Sequence, residues 1–322
     1  MTELVIPELD AAVAALQRAD TVALACHSNP DGDAIGSLLA MKLGLDAMGK
    51  STTASWGGPP LQVPPIFEFM AGADQIVPAA DMPASDVFVA VDCGGSDRLG
   101  SLEALAKAAP VSINIDHHPG NDEFATHNLV VPGASSTAEL VAQVLLELGV
   151  KIDPVIATAL YTGVVTDTGR FSYPSATPRT LRLAADLLEA GADAPRIAQE
   201  IFESAPFGYL HLIGRVLDRA VLHSSERFIY SWITQKDSLD SGIPMGETGD
   251  LIDLVRSTRD ADVAALFKEQ DDGEWRVSLR SRSRPIGHIA RERGGGGHDL
   301  AAGFTVDDRE AAVAEVLEAL QA

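Results

Sequence analysis

The stretch that decides the fold is Val111-Ser112-Ile113-Asn114-Ile115-Asp116-His117-His118, in which an apolar run of strand length ends in a carboxylate and two imidazoles. The β-branched residues predict a buried strand, and the tripeptide after it predicts polar side chains at the end of a sheet. Carboxylate and imidazole ligands suit manganese, zinc or iron better than calcium. Alone, the tripeptide is equally consistent with a turn whose side chains bond the backbone, so further ligands have to come from elsewhere.

Two other apolar runs of strand length end in the same kinds of residue. The polar residues after them are His27, Asp31 and Asp33, which follow Thr21–Cys26, and Asp92, which follows the run 86–91. Alternation of such strands with helical patterns predicts a parallel sheet, in which ligands bind beyond the carboxyl ends of the strands. For Asp33 alone, capping of the helix predicted from Ile35 to Ala47 is the simpler role.

A further carboxylate, Asp167, ends the apolar helix predicted over 153–166. A negative charge at that end opposes the helix dipole, so a nearby cation is expected. The six candidate metal ligands are then His27, Asp31, Asp33, Asp92, His117 and Asp167. If they converge, the four carboxylates would repel one another, and two divalent cations would neutralise them. Two ions about 3.5–4 Å apart are the usual device for displacement at phosphorus.

Composition predicts an ordinary globular protein of two domains, since the chain has 322 residues, 46% hydrophobic and 22% charged. The N-terminal stretch lacks the features of a signal peptide, and no apolar run is long enough to span a bilayer. We therefore expect a cytoplasmic protein with no membrane partner. Cys26 and Cys93 are expected to be small buried groups rather than a disulfide or metal ligands.

The formal net charge of -22 argues against binding of long duplex or single-stranded nucleic acid. Basic residues are nevertheless concentrated between Arg276 and Arg293, where six arginines occur. The glycine run Gly294–Gly297 and His298 follow directly. A solvated face and a flexible hinge are the simpler interpretations of the two features taken separately. Together they favour an anion site that uses unshielded backbone N–H groups and arginines.

Pattern changes divide the chain into a metal domain over 1–190, a linker over 191–210 and a substrate-binding domain over 211–322. The predicted fold class is therefore α/β: a mostly parallel N-terminal sheet domain joined by a helical linker to a smaller α/β C-terminal domain, with a cleft between them.

Five motifs in this order resemble one family: HSNPDGDAIGS, VDCGG, IDHHPGN, VTDTGRF and GGGGHDLAAGF, which span most of the chain. They are similar to the DHH phosphoesterase superfamily with its DHH-associated C-terminal domain, and most resemble the NrnA group of oligoribonuclease/pAp phosphatases. The last motif departs from the pattern at Asp299, whose charge is expected to weaken affinity or alter the preference for a terminal phosphate.

The resemblance implies a role for each candidate residue. It implies that His27, Asp31 and Asp92 hold one manganese ion, and that Asp33, Asp92, His117 and Asp167 hold the other. It gives Asp116 a supporting role and His118 a phosphate contact, so that the catalytic residues would be Asp92, Asp116 and His118. The substrate contacts it implies are Arg280 with the adjacent Ser281 and Arg282, Gly295, Gly296, Gly297 and His298.

The resemblance also implies the activity: manganese-dependent hydrolysis of short oligoribonucleotides (nanoRNA) and linear dinucleotides such as pApA to mononucleotides, and of pAp to AMP and phosphate, with either cleavage polarity. Cyclic di-AMP phosphodiesterase is the nearest alternative. A family II pyrophosphatase would share the N-terminal motifs, but the glycine–histidine run favours a nucleotide. A non-catalytic nucleotide sensor is less favoured because all six ligands are present. A homodimer is left open.

Overall fold

The structure, a computed structural model, describes residues 4–59 and 62–321. The chain divides into two compact units, which we call unit 1 (up to Ser204) and unit 2 (from Ala205). The Pro/Gly-rich loop expected after Trp56 includes Pro60 and Leu61, which lie outside the described residues, as do the first three residues of the segment analysed for a signal peptide.

Unit 1 is built on a parallel sheet in the order β2-β1-β3-β4-β5. Its strands are β1 (Thr21–Cys26), β2 (Ser51–Trp56), β3 (Val87–Val91), β4 (Val111–Asp116) and β5 (His127–Val130). Its α-helices are α1 (Leu9–Arg18), α2 (Gly32–Ala47), α3 (Glu103–Ala108), α4 (Thr137–Glu147), α5 (Pro154–Asp167), α6 (Pro178–Glu189) and α7 (Ala194–Phe202). The predicted parallel sheet is confirmed, and it has the buried, nearly continuous apolar strands that helices on both faces require.

Helices α2 and α5 are buried along most of their length and pack closely against each other. Glycines allow this approach: a Cβ at Gly36 would lie 2.5 Å from the Ala159 carbonyl oxygen. The contact matters for the site because α2 begins, and α5 ends, beside the carboxyl edge of the sheet.

Several local predictions for unit 1 differ from the structure. The cap of α2 is Asp31, not Asp33, because the helix begins at Gly32 and the Asp31 side chain accepts its first free N–H groups. The sequence of residues 101–109 also predicts a helix, but in the structure only α3 is α-helical there, and 3-10 turns precede it. Strand β5 was not predicted, since its four residues have no clear alternation. The spacing of Ser136 and Glu139 predicts a capping box; Ser136 does cap α4, but the Glu139 carboxylate accepts hydrogen bonds from Ser135 instead of completing the box.

Unit 2 contains a mixed sheet in the order β10-β11-β9-β8-β7-β6, in which only the β7–β8 pair is parallel among the described strands. Its strands are β6 (Val221–His223), β7 (Phe228–Ile233), β8 (Val263–Glu269), β9 (Trp275–Ser281), β10 (Gly296–His298) and β11 (Ala301–Val306). Its α-helices are α8 (Phe207–Asp218), α9 (Gln235–Ser241), α10 (Leu251–Arg256), α11 (Gly287–Arg291) and α12 (Arg309–Gln321). The predicted smaller α/β unit is confirmed.

The glycine run is the main difference in unit 2. Part of it, Gly296–His298, is an edge strand that pairs with β11, and neither strand was predicted. Glycine carries no β-propensity, so the pairing comes from the tertiary context. The predicted linker contains α7, whose Ile197 is buried, and the start of α8. No helix in the described parts of the chain is long and apolar enough to cross a membrane.

Candidate metal centre

Three neighbouring strands of unit 1 end at one edge of the sheet, and each supplies a predicted site residue there. Strand β1 leads into His27, β3 into Asp92, and β4 ends at Asp116 before His117. Because β3 lies between β1 and β4, Asp92 is central. Its backbone has φ 60°, a left-handed conformation that costs most residues free energy and that accumulates at functional sites.

Asp31 and Asp33 come from the first turn of α2. Asp33 is buried and binds the start of α4: its Oδ2 accepts the Thr137 N–H at 2.6 Å, and its Oδ1 accepts the Ala138 N–H at 2.9 Å. A carboxylate at a helix N-terminus is favourably placed against the dipole. Asp33 is therefore fixed by a second helix, 104 residues away along the chain.

Asp167 is the last residue of α5. One turn earlier, Gly163 leaves space for the site, because a Cβ there would lie 2.7 Å from Asp33 Oδ1. At the end of the helix, Asp167 Oδ2 lies 3.6 Å from His117 Nε2.

The six predicted ligands form two groups that meet at Asp92. In one group, His27 Nε2 lies 3.4 Å from Asp92 Oδ2 and 4.0 Å from Asp31 Oδ1. In the other, His117 Nε2 lies 3.7 Å from Asp92 Oδ1, 3.6 Å from Asp167 Oδ2 and 3.9 Å from Asp33 Oδ2. Donors bound to one cation at about 2.0–2.2 Å lie about 3–3.5 Å apart, so both groups are slightly wider than a loaded site.

His118 lies beside this cluster and is held by Asp116. Its Nδ1 lies 2.8 Å from Asp116 Oδ1, and the other oxygen of the fully buried Asp116 accepts a hydrogen bond from Asn121 at 2.6 Å. The hydrogen bond to Asp116 raises the pKa of His118 to about 9. Asp116 thus supports His118 rather than His117, and the half-exposed His118 ring is a cation at neutral pH.

Burial and mutual repulsion control the charges of the carboxylates. Burial, followed by repulsion from Asp92 and Asp167, raises the pKa of Asp33 well above its usual range. Burial likewise raises the pKa of Asp167 to about 6. Burial would also raise the pKa of Asp92, but the hydrogen bond and charge of His27 outweigh it, so that pKa is lowered.

The donor set fits a metal. Buried carboxylates that repel one another are stabilised by a cation between them, and the mixture of imidazole and carboxylate suits a divalent transition metal. The residue triads His27–Asp31–Asp92 and Asp33–His117–Asp167 each bring three donor atoms within 4.8 Å of one another. The triad Asp92–His117–His118 does so as well, although His118 Nδ1 already has Asp116 as a partner.

Thr137 is a residue of the site that sequence reasoning missed. Its hydroxyl donates to Asp92 Oδ1 at 2.8 Å while its N–H donates to Asp33 Oδ2, so one fully buried residue fixes two candidate ligands. The available signal was its place directly after the predicted cap Ser136, where N–H groups are free.

The predicted substrate residues of unit 2 fall into two classes. Ser281 and Arg282 have structural contacts: the Ser281 hydroxyl accepts the Arg284 N–H, and Arg282 donates to the carbonyls of residues 256 and 258. Arg280 and His298, by contrast, lie on one face of the sheet because both register with Ala301. Gly295 to Gly297 run along the edge of the sheet beside β11.

Comparison with known proteins covers both units. Residues 21–164 match the DHH family, N-terminal domain, and residues 225–322 match the DHHA1 domain. The chain is 32% identical to the bifunctional oligoribonuclease and PAP phosphatase NrnA of Thermus thermophilus over 302 residues, which are 92% of this chain and 88% of that protein. It is 27% identical to the Bacillus subtilis protein of the same name over 89% of this chain and 90% of that protein.

Solved structures agree in fold. An exopolyphosphatase-related protein from Bacteroides fragilis superimposes with a TM-score of 0.90 at 25% identity, covering 99% of this chain and 97% of that one. RecJ of Thermus thermophilus in complex with Mn²⁺ gives a TM-score of 0.57 at 18% identity, covering 99% of this chain and 55% of RecJ. With both domains matched and a relative above 30% identity along most of its length, the chain belongs to the DHH family of phosphoesterases, among the NrnA-like members that carry a DHHA1 domain.

Proposed function

We propose that this chain is a manganese-dependent phosphoesterase that hydrolyses short oligoribonucleotides and linear dinucleotides such as pApA to mononucleotides, and that converts pAp to AMP and phosphate. The observation that carries the proposal is the pair of donor groups that meet at Asp92, which lies 3.4 Å from His27 Nε2 and 3.7 Å from His117 Nε2. Related proteins are oligoribonucleases and PAP phosphatases by name, which supports short RNA and pAp as substrates.

In this proposal His27, Asp31 and Asp92 hold one divalent ion, and Asp33, Asp92, His117 and Asp167 hold a second. Two such ions, when bound, supply a hydroxide near neutral pH and stabilise the attacking and leaving oxygens. The task of the chain is to keep the four carboxylates close together against their repulsion. Hydrogen bonds from the start of α4 to Asp33 and Asp92 do this.

His118 is assigned to the substrate phosphate. Because its pKa is raised to about 9, the ring carries a proton at neutral pH, and a charge-assisted hydrogen bond to a phosphate oxygen is favourable. The Asn121–Asp116–His118 chain of hydrogen bonds fixes the orientation of the ring. His118 would also stabilise charge on the leaving oxygen.

The preference for short substrates follows from charge. A chain with a net charge of -22 repels a long polyanion, so affinity has to come from local cations that contact only a few phosphates. Arg280 and His298 in unit 2 are the first candidates for this role.

The test is a panel of substrates incubated with the purified full chain and manganese: pAp, pApA, cyclic di-AMP, and labelled RNAs of two to ten residues. We expect release of mononucleotides from the shortest RNAs and pApA, release of phosphate from pAp, and loss of both activities with a chelator. Hydrolysis of cyclic di-AMP with no activity on linear substrates would contradict the proposal, as would full activity in the chelator.

A further inference from the structure

Three cationic side chains on β8 and β9 lack an acidic partner. Lys268, Arg276 and Arg280, which we call the basic strip, form no ion pair within 4.0 Å with any residue in the described ranges. The Arg280 guanidinium donates a hydrogen bond to the carbonyl of its own neighbour, Leu279. Several other cations of unit 2 have an acidic partner, for example Arg219 with Asp237 and Arg293 with Glu315, and Arg282 and Arg284 donate to backbone carbonyls. The basic strip is therefore not explained by the packing of the unit.

Strand register places the three on one face of the sheet. Lys268 is directly opposite Arg276, and Arg280 follows four residues later on the same strand. Residues that are opposite each other, or an even number apart along one strand, point to the same side. The strip thus has Lys268 with Arg276 at one end and Arg280 at the other, about 13 Å apart along β9 at about 3.3 Å per residue.

Lys268 is the unusual member, because only 9% of it is exposed. Burial, followed by the charges of Arg276 and Arg280, lowers the pKa of its ammonium group, although the charge of Asp250, which lies beyond ion-pair distance, opposes this shift. A buried lysine beside two arginines loses hydration and gains repulsion, which is unfavourable unless an anion joins them. The arrangement is therefore suited to a ligand with negative charge.

Small residues separate the two ends of the strip. Between them lie Ser278 on β9, Gly303 opposite it on β11, and Gly296 opposite that on β10. Ser278, Gly303 and Gly296 form a surface that we call the floor of the strip. A Cβ at Gly296 would meet no atom within 4 Å, so this surface has free space above Gly296. A sugar or base can approach such a surface closely, with the phosphate that is not hydrolysed at one end of the strip.

A cavity of about 680 Å³ adjoins this floor and is lined by Arg276, Gly294–Gly296, Gly303 and Thr305. Asp272 and Glu274 also line it, and their charge disfavours an anion on that side of Arg276. The favourable position for a phosphate is therefore between Arg276 and Lys268.

We propose that Lys268 and Arg276 form a subsite for a second phosphate group of the substrate, separate from the position of Arg280 and His298. The ligand class is a nucleotide with phosphates on both sides of a nucleoside, such as a 5′-phosphorylated dinucleotide or a nucleoside 3′,5′-bisphosphate. This inference rests on the proposed function, since it assigns to unit 2 the choice between substrates that differ by one phosphate.

The experiment compares pApA with ApA, which differ only by the terminal phosphate, in wild-type protein and in Lys268→Met. Loss of a charge-assisted contact is expected to raise KM for pApA by about tenfold to a hundredfold, with kcat and the KM for ApA changed by less than about twofold. Lys236→Met is the matched control. It removes the same charge from unit 2, at a side chain on α9 that is 80% exposed. An equal loss on both substrates, or no loss on either, overturns the subsite.

Binding separates this inference from the proposed function. Calorimetry with pAp and adenosine 3′-monophosphate, which lacks the 5′-phosphate, in chelator measures affinity without hydrolysis, and pAp should lose affinity in Lys268→Met while adenosine 3′-monophosphate should not. If the wild-type chain hydrolyses nothing but this selective loss is seen, the subsite stands and the proposed function fails; if pAp and adenosine 3′-monophosphate bind equally to wild type, the subsite fails. Arg276→Gln, at an exposed position, gives a second variant should Lys268→Met not fold, and the same selective loss is expected.

Discussion

The carboxylates of the metal centre in unit 1 and the cations of the basic strip in unit 2 are held in different ways. Asp33 and Asp92 are buried and accept hydrogen bonds from Thr137, so their positions are fixed by the protein itself. Arg276 and Arg280 form no ion pair with a described residue. A rigid site keeps catalytic geometry, whereas unpaired cations leave their hydrogen bonds for a ligand.

The same contrast exists within unit 2 itself. Arg219 donates to both oxygens of buried Asp237 and is part of the fold, while the basic strip is not. Counting arginines in the sequence therefore overestimates the binding surface. Whether an arginine stabilises the fold or is available to a ligand has to be decided from the residue that it contacts.

The largest expected effect is the loss of the carboxylate that joins the two donor groups. Asp92→Asn should lower kcat by about a thousandfold or more and weaken manganese binding, because both groups lose a ligand. Asn is preferred to Ala because it tolerates the left-handed backbone at φ 60°. Steady-state kinetics and calorimetric titration with manganese provide the measurements.

Asp81→Asn is the control, since Asp81 is an exposed carboxylate of the same unit. If Asp92→Asn keeps its manganese affinity and kcat within about twofold of wild type, Asp92 does not join two ions. The contrast between the two units would then lose its basis.

The convergence of the six candidate ligands could largely be predicted from the sequence. These residues follow short apolar strands, and parallel strands bring their carboxyl ends together wherever the crossovers are helical. His27, Asp92 and His117 could thus be placed before the structure. The hydrogen bonds of Asp33 and Asp116 could not be predicted in this way. The bond from Thr137 to Asp33 depends on how two helices approach each other, and the bond between His118 and Asp116 depends on the orientation of the ring, so neither follows from the spacing of residues in the sequence.

Unit 2 was less accessible because its site depends on register. The importance of Lys268 follows from its position opposite Arg276 across an antiparallel pair, and nothing in local sequence fixes that pairing. The substrate-binding role of the glycine run stays a prediction, and its pairing with β11 does not follow from the sequence. Helix α9 was also missed, since its seven residues carry only a weak apolar pattern.

The second prediction tests whether paired cations in unit 2 are structural. Asp237→Asn should lower the free energy of unfolding of unit 2 by about 3 kcal/mol at pH 7, because Arg219 then loses the charge of its partner. The carboxylate also accepts the Thr234 N–H that begins α9. Urea denaturation followed by tryptophan fluorescence measures the change, with Asp260→Asn as an exposed control.

The pH dependence of that difference has a definite sign. The folded pKa of Asp237 is lowered by Arg219 and Thr234 despite the opposing effect of burial, so its stabilisation is fully present above the unfolded pKa of about 3.9. The gap between wild type and Asp237→Asn should be constant from pH 8 to about pH 5 and narrow below about pH 4. If the difference in free energy of unfolding between wild type and Asp237→Asn already becomes smaller between pH 8 and pH 6, a group other than Asp237 causes it.

The third prediction concerns the rigidity of the metal centre. Thr137→Val removes the hydroxyl that binds Asp92 but keeps the N–H that binds Asp33, so manganese affinity should fall by about tenfold to a hundredfold. Thr137→Ser should restore most of it. Equal affinities in Val and Ser variants would mean that the hydroxyl plays no part in positioning Asp92.

The smallest effects are expected at the edge strand β10, where two adjacent glycines provide a matched pair. Gly297→Ala should destabilise unit 2 by more than about 1 kcal/mol, since its φ of 126° and the Ala301 carbonyl oxygen 2.5 Å from the new Cβ both oppose a side chain. Gly296→Ala meets no atom within 4 Å and should change stability by less than about 0.5 kcal/mol. If the substrate lies on the floor of the strip, beside Gly296, then Gly296→Ala should still raise the KM for pApA a few-fold. An unchanged KM with unchanged stability would move the substrate away from the glycines and leave the basic strip as the recognition element of unit 2.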